Sequence, residues 1–130
     1  FCSGKVYYDL LEAREVNGIN DIAIIRIEQL YPFPISEYAE IIGQYSHVDE
    51  IVWCQEEPLN QGAWYQVKHR LQEALQPHQQ LYYAGRPGAA APASGVFKVH
   101  LQQQQALVEA ALDISSEASK VRKPEKTKRK

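Results

Sequence analysis

The sequence predicts an α/β fold, with helix layers on both faces of a mixed, mostly parallel sheet. Three observations predict it. Short β-branched and aromatic runs alternate with segments of helical period along the 130-residue chain. Those runs are apolar at nearly every position, as strands covered on both faces are. Gly, Pro and Asn-Gly signals punctuate the joins. Right-handed crossovers then bring every strand-to-helix loop to one edge of the sheet.

Phe1 and Cys2 read as the tail of a strand that stops at Ser3-Gly4. The chain holds no Met and opens inside an apolar segment. It is therefore read as an N-terminally truncated piece of a longer protein, with a further strand expected ahead of Phe1. A helix is expected over residues 5–17, with Val6, Leu10 and Ala13 on one face and Tyr7 and Leu11 beside them. Asn17-Gly18 stops it. Residues 22–27 form a nearly continuous apolar strand. Pro32 and Pro34 punctuate the next loop. Ile35, Tyr38, Ala39 and Ile42 then fall at i, i+3, i+4 and i+7, an amphipathic helix for which Ser36 is the expected cap.

Residues 51–54 are the third strand, and a polar loop follows at 55–63. Trp64, Val67, Leu71 and Leu75 make one stripe of the next helix, closed by Pro77. Residues 81–84 are the fourth strand, and 85–95 a Gly/Ala/Pro loop. The last helix covers about 98–112, with Leu101, Val108 and Leu112 inward and a short polar tract at 102–105. Residues 1–112 thus read as one domain and 113–130 as a basic, disordered tail.

Charge separates the same two parts. Half of the 14 Lys/Arg lie in the last eleven residues, beside a single Glu, so the body is acidic and the tail basic. The tail has no aromatics for base stacking and no apolar face for membrane insertion, which argues against nucleic acid and against a membrane. No run approaches the roughly 20 apolar residues of a membrane span, and no signal peptide is visible. Cys2 and Cys54 belong to no C-x-x-C pair and read as free thiols in a reducing cytoplasm.

The most distinctive polar sequence is the loop opened by Gln55, Glu56 and Glu57 and continued by Asn60, Gln61 and Trp64. It stands at the carboxyl end of a buried strand, where open α/β sheets place ligands and partner contacts. Adjacent carboxylates on extended chain point apart, so Glu56 and Glu57 do not form a general acid/base pair on one atom. One can accept N–H groups or an arginine while the other faces a partner. Arg86, between Gly85 and Pro87, either reaches into a cleft or pairs with a body carboxylate. Ser3-Gly4-Lys5 lacks the longer glycine pattern of a phosphate loop and reads as a helix start. His47, His69, His78 and His100 show no zinc spacing and read as solvent-facing. No G-x-S-x-G elbow exists. No residue is assigned as catalytic, cofactor-binding or metal-binding. Gln55, Glu56, Glu57, Asn60, Gln61, Trp64 and Arg86 are candidates for an interface or structural role.

Five stretches together resemble the C-terminal domain of the 2-oxoglutarate dehydrogenase first component. They are CSGKVYYDLLEAR (2–14), DIAIIRIEQLYPFP (21–34), VWCQEEPLNQGAWY (52–65), YAGRPGAAAPASG (83–95) and KVHLQQQQALVEAAL (98–112). The wording of LYPFP and EEPLNQGAW looks bacterial, which implies the cytoplasm, or the mitochondrial matrix for a eukaryotic member. The resemblance implies a transketolase C-terminal-like, three-layer domain that contributes no catalytic residue. It implies thiamine diphosphate and magnesium held elsewhere in the subunit, a homodimer, contact with the preceding domains, and a lipoyl succinyltransferase as partner in a multienzyme complex. The whole subunit would decarboxylate 2-oxoglutarate and pass a succinyl group to a lipoyl arm. Where family members often carry serines after Gly-Arg-Pro, this chain has Ala89, Ala90 and Ala91. The tail matches nothing in the family. A first component acting on 2-oxoadipate and a non-enzymatic interaction module using the basic tail remain alternatives.

Overall fold

The computed structural model describes residues 1–90, 95–114 and 123–124. Among these residues four helices surround a small sheet in the order α1 (Val6–Val16), α2 (Ile35–Gln44), β1 (Glu50–Pro58), α3 (Trp64–Glu73), β2 (Gln80–Arg86), α4 (Phe97–Leu112), β3 (Lys123–Pro124). β1 and β2 pair in parallel from Glu50↔Gln80 to Cys54↔Ala84, shift register, and meet again at Pro58↔Arg86. β3 adds two antiparallel residues opposite Tyr82 and Tyr83, so the sheet is mixed. Most of the expected tail lies outside the described residues.

Two further segments extend the parallel pairing as single bridges. Cys2 bridges Arg26 on one side and Cys54 on the other, both in parallel. Cys2 N donates to Ile25 O at 3.0 Å and Ile27 N to Cys2 O at 2.8 Å; Cys54 N donates to Phe1 O at 2.8 Å. The expected strand at 22–27 is therefore reduced to a bridge at Arg26. Parallel pairing needs backbone alongside, and opposite residues 22–24 there is a groove instead.

Side chains alternate across the sheet, as strand geometry requires. Ile51 and Trp53 of β1 and Leu81 and Tyr83 of β2 join Tyr38 and Ile42 of α2 and Trp64, Val67 and Leu71 of α3 in one core. Cys2 and Cys54 point the other way, into a core with Val6 and Leu10 of α1 and Leu107, Val108 and Leu112 of α4. Tyr38 sends its hydroxyl to Leu71 O at 2.8 Å, tying α2 to α3.

Several expectations change at the element ends. Ser36 lies inside α2 and caps nothing; Pro34 occupies the cap position, and its fixed φ of −77° leads into the helix. β1 runs on through Glu56 and Glu57 to Pro58, beyond the expected end at Cys54. Likewise β2 reaches Arg86, so the following loop starts later than its glycine suggests. Leu101 is 51% exposed, not inward. α4 turns His100 and Gln104 toward β2 in its first turns, and Leu107 and Val108 take over the buried stripe further on.

Candidate functional site

The carboxyl ends of β1 and β2 carry two polar networks, one on each face of the sheet. Gln55 is the centre of the first and is 2% exposed. Its Oε1 accepts Trp53 Nε1 at 3.0 Å and the Trp64 peptide N–H at 3.1 Å. Its Nε2 donates to Glu57 O at 3.1 Å, Pro58 O at 3.1 Å and Gln61 O at 3.0 Å. Donors on one side and carbonyls on the other fix the orientation of the amide. Two N–H groups serve three carbonyls, so one proton is shared.

This side chain also does a helix cap's work from a distance. α3 begins at Trp64, its cap position is Ala63, and no local side chain caps it. The first N–H groups of a helix have no intrahelical acceptor. Gln55, nine residues earlier on β1, supplies one. The loop between them can fold back because Gly62 sits at φ 66°; a Cβ there would meet Glu57 Cβ at 2.9 Å.

The same loop is fastened to the one after β2. Asn60 Nδ2 donates to Ala89 O at 2.8 Å and Asn60 Oδ1 accepts Ala89 N at 2.9 Å. Gln61 Nε2 reaches the same carbonyl at 3.1 Å. Arg86 O accepts Leu59 N at 3.0 Å and the Tyr83 hydroxyl at 2.9 Å. These contacts to Ala89 are made through its backbone, so the alanine side chain does not compromise them.

Arg86 is the centre of the second network and is 5% exposed. One terminal nitrogen donates to Glu56 O. The other reaches Gln104 Oε1 at 2.8 Å and His100 O at 3.3 Å. Gln104 Nε2 then donates to Asp9 Oδ2 and Glu56 Oε1, both at 2.9 Å. Lys5 Nζ closes on Glu56 Oε1 at 2.7 Å, and that hydrogen bond holds the ammonium pKa above its ordinary value. Arg86 Nε finds no partner among the described residues.

The two adjacent glutamates diverge as the strand geometry requires. Glu56 turns into the Arg86 network and Glu57 is exposed. Glu57 makes no ion pair among the described residues. Trp64 is 3% exposed and lies 5.2 Å, ring to ring, from Tyr83, so its indole is spent inside the chain. The loop's outward surface belongs to Glu57, Asn60 and the 55%-exposed Tyr65.

Sequence reasoning missed Asp9, His100 and Gln104 as members of the second network. It also read Lys5 as only a helix start. The signal was available in α4: His100, Gln104 and Val108 are four apart and share a face. Among the described residues no group of three His, Cys, Asp or Glu could hold a metal ion. No helix among them is long and apolar enough to cross a membrane.

Residues 1–112 match the family model described as 2-oxoglutarate dehydrogenase C-terminal. A 2-oxoglutarate dehydrogenase E1 component from Haemophilus influenzae is 58% identical over 111 residues, covering 85% of this chain and 12% of the relative. One from Azotobacter vinelandii is 51% identical over 116 residues, covering 87% and 12%. One from Cupriavidus necator is 54% identical over 110 residues, covering 85% and 12%. The chain thus spans about 12% of the length of these relatives.

Proposed function

The chain belongs to the 2-oxoglutarate dehydrogenase C-terminal family, and we propose that it is the closing structural domain of a thiamine-diphosphate-dependent first component. In this reading the whole subunit decarboxylates 2-oxoglutarate and passes a succinyl group to the lipoyl arm of a succinyltransferase. Residues 1–112 form a transketolase C-terminal-like, three-layer domain. They brace the preceding domains and a homodimer interface. The cytoplasm is the compartment that fits bacterial relatives of this kind.

One observation carries the structural role. Gln55, Glu56 and Arg86 at the strand ends are bonded within the chain, not presented to a substrate. Gln55 is fully engaged by Trp53, Trp64 and three carbonyls. Glu56 and Arg86 are engaged by Lys5 and Gln104.

Thiamine diphosphate and its magnesium do not fit the residues present. The cofactor needs ligands for a divalent cation and donors aimed at a diphosphate. No trio of metal-ligating side chains is assembled among the described residues. Arg86, the one buried cation of the network, has both terminal nitrogens committed to protein acceptors. In this reading the cofactor is held by other domains of the subunit.

Two measurements test the reading. Calorimetric titration of the 130-residue chain with thiamine diphosphate and magnesium should show no binding, and micromolar binding would overturn the proposal. In the intact subunit, Glu56→Gln should lower thermal stability while activity per assembled dimer stays within about tenfold. Loss of a general acid or base costs about 10²–10⁴-fold. A loss of that size with unchanged assembly would place Glu56 in the chemistry.

A further inference from the structure

The outer edge of β2 is the side of that strand which β1 does not use. Backbone groups along a strand alternate between its two neighbours. The even-numbered residues of β2 face β1: Gln80 N donates to Asp49 O at 2.8 Å and Arg86 O accepts Leu59 N at 3.0 Å. Leu81, Tyr83 and Gly85 therefore turn their peptide groups to the opposite edge. A row of this kind is a template for another strand. Its first acceptor is covered locally, since Gln80 folds its side chain over and gives Nε2 to Leu81 O at 2.9 Å.

The next position is met by β3. It runs antiparallel, with Tyr82 opposite Pro124 and Tyr83 opposite Lys123. Pro124 has no N–H to give. Tyr82↔Pro124 is thus a pair that exchanges no hydrogen bonds, and Tyr83↔Lys123 is the pair that exchanges two. The alternation set by β1 leads to the same register, because Tyr83 is a residue whose peptide groups face outward. Pro124 is exposed, and its ring nitrogen is turned away from β2. That is where an edge strand tolerates proline, and it leaves the new edge one donor short for any further strand.

We propose that the outer edge of β2 is a strand-docking surface and that its occupant is the chain's own basic tail, seated at Lys123 and Pro124. The family match ends at residue 112, so the segment that seats there lies beyond the shared domain. Tethering favours it over a free strand. Only about ten residues separate Asp113, at the end of α4, from Lys123, and a short flexible link gives an effective concentration on the order of millimolar. Charge favours it as well, since half of the 14 Lys/Arg lie in the last eleven residues and the rest of the chain is acidic. Main-chain bonds supply the register, as in other cases of strand addition.

The test is amide hydrogen exchange on the 130-residue chain, read residue by residue by NMR. Lys123→Pro removes the N–H that Tyr83 O accepts. The Tyr83 amide should then exchange about tenfold faster or more, while the Tyr82 and Ala84 amides, which face β1, keep their rates. Lys123→Val keeps the N–H and should leave Tyr83 within about threefold of the parent. Equal exchange at Tyr83 in the parent and in Lys123→Pro would overturn the proposal. A rise shared equally by Tyr82 and Ala84 would contradict a local pairing and overturn it too. Protection of Tyr83 that survives Lys123→Pro and grows with protein concentration would seat a second copy on the edge, which also refutes the tail as occupant.

Discussion

Replacing Gln55 by alanine should cost the chain about 3–5 kcal/mol. Two buried donors lose their acceptor: the Trp53 indole N–H and the Trp64 peptide N–H. Each orphaned buried donor costs about 1–3 kcal/mol. The carbonyls of Glu57 and Gln61 are only partly buried and can turn to water, and Pro58 O keeps the Gln61 N–H, so the three add little. The total is a large fraction of the roughly 5–15 kcal/mol that holds a domain folded. In Tm it corresponds to a fall of roughly 10–30 °C. Urea denaturation followed by tryptophan fluorescence is the natural assay, since both tryptophans bond to the altered side chain. Gln55→Glu separates the two halves of the amide. It keeps acceptors for the two N–H groups but turns a carboxylate toward three carbonyls, and should be at least as damaging at pH 7. Asn60→Ala is the control, because Asn60 is exposed and water can replace it; it should cost about 1 kcal/mol or less. A Gln55→Ala chain within about 1 kcal/mol of the parent would refute the claim that this amide organises the strand end.

Further outcomes follow from the same geometry. Lys5→Ala removes an ion pair whose lysine is 79% exposed and should shift stability by less than about 1 kcal/mol, whereas Glu56→Ala also strips Gln104 of an acceptor and should cost more in the same denaturation assay. Gly85→Ala should destabilise sharply in a thermal melt, since its Cβ would stand 2.4 Å from the Tyr83 hydroxyl; Gly43→Ala in α2, with nothing within 4 Å, should stabilise by about 0.5–1 kcal/mol. Burial pushes the Cys54 thiol up to about 12 from an ordinary 9.0. The unfolded chain ionises it first, so its contribution is complete below pH 9 and is lost as pH rises from 9 toward 12, at up to about 1.4 kcal/mol per pH unit. Cys54→Ala should show a shallower loss over that window in urea titrations, and an equal slope would contradict the burial argument.

The alternation of elements was legible because period alone separates these strands from these helices. Val6 and Leu10, Tyr38 and Ile42, and Trp64, Val67 and Leu71 are buried on the stripes their spacing implies. Strand ends were not legible. Glu56 and Glu57 look like loop residues, yet β1 carries them, because Glu56 finds Lys5 and Gln104 while Glu57 faces water. In α4 the usual preference for a buried leucine failed at Leu101, since the helix begins over a buried arginine and needs His100 and Gln104 there instead. That the loop at 55–64 is polar and distinctive was legible from its composition. Its wiring was not, because a glutamine capping a helix nine residues away leaves no local pattern.

One bond in the Arg86 network joins the two extremes of the fold. Gln104 of α4 holds Asp9 of α1 across a sequence separation of 95. A ribosome adds residues at about 5–20 per second, so α1, β1 and β2 are all synthesised before α4 can exist. Through that interval Arg86 has neither Gln104 nor the His100 carbonyl, and the face bearing Cys2, Cys54 and Leu10 has no cover from Leu107 and Leu112. The nascent chain thus carries an uncovered apolar sheet face and a cation without its partners until α4 is made. Premature termination before residue 97 would leave a polypeptide fixed in that state, a natural target for chaperones and proteases rather than a smaller version of the domain.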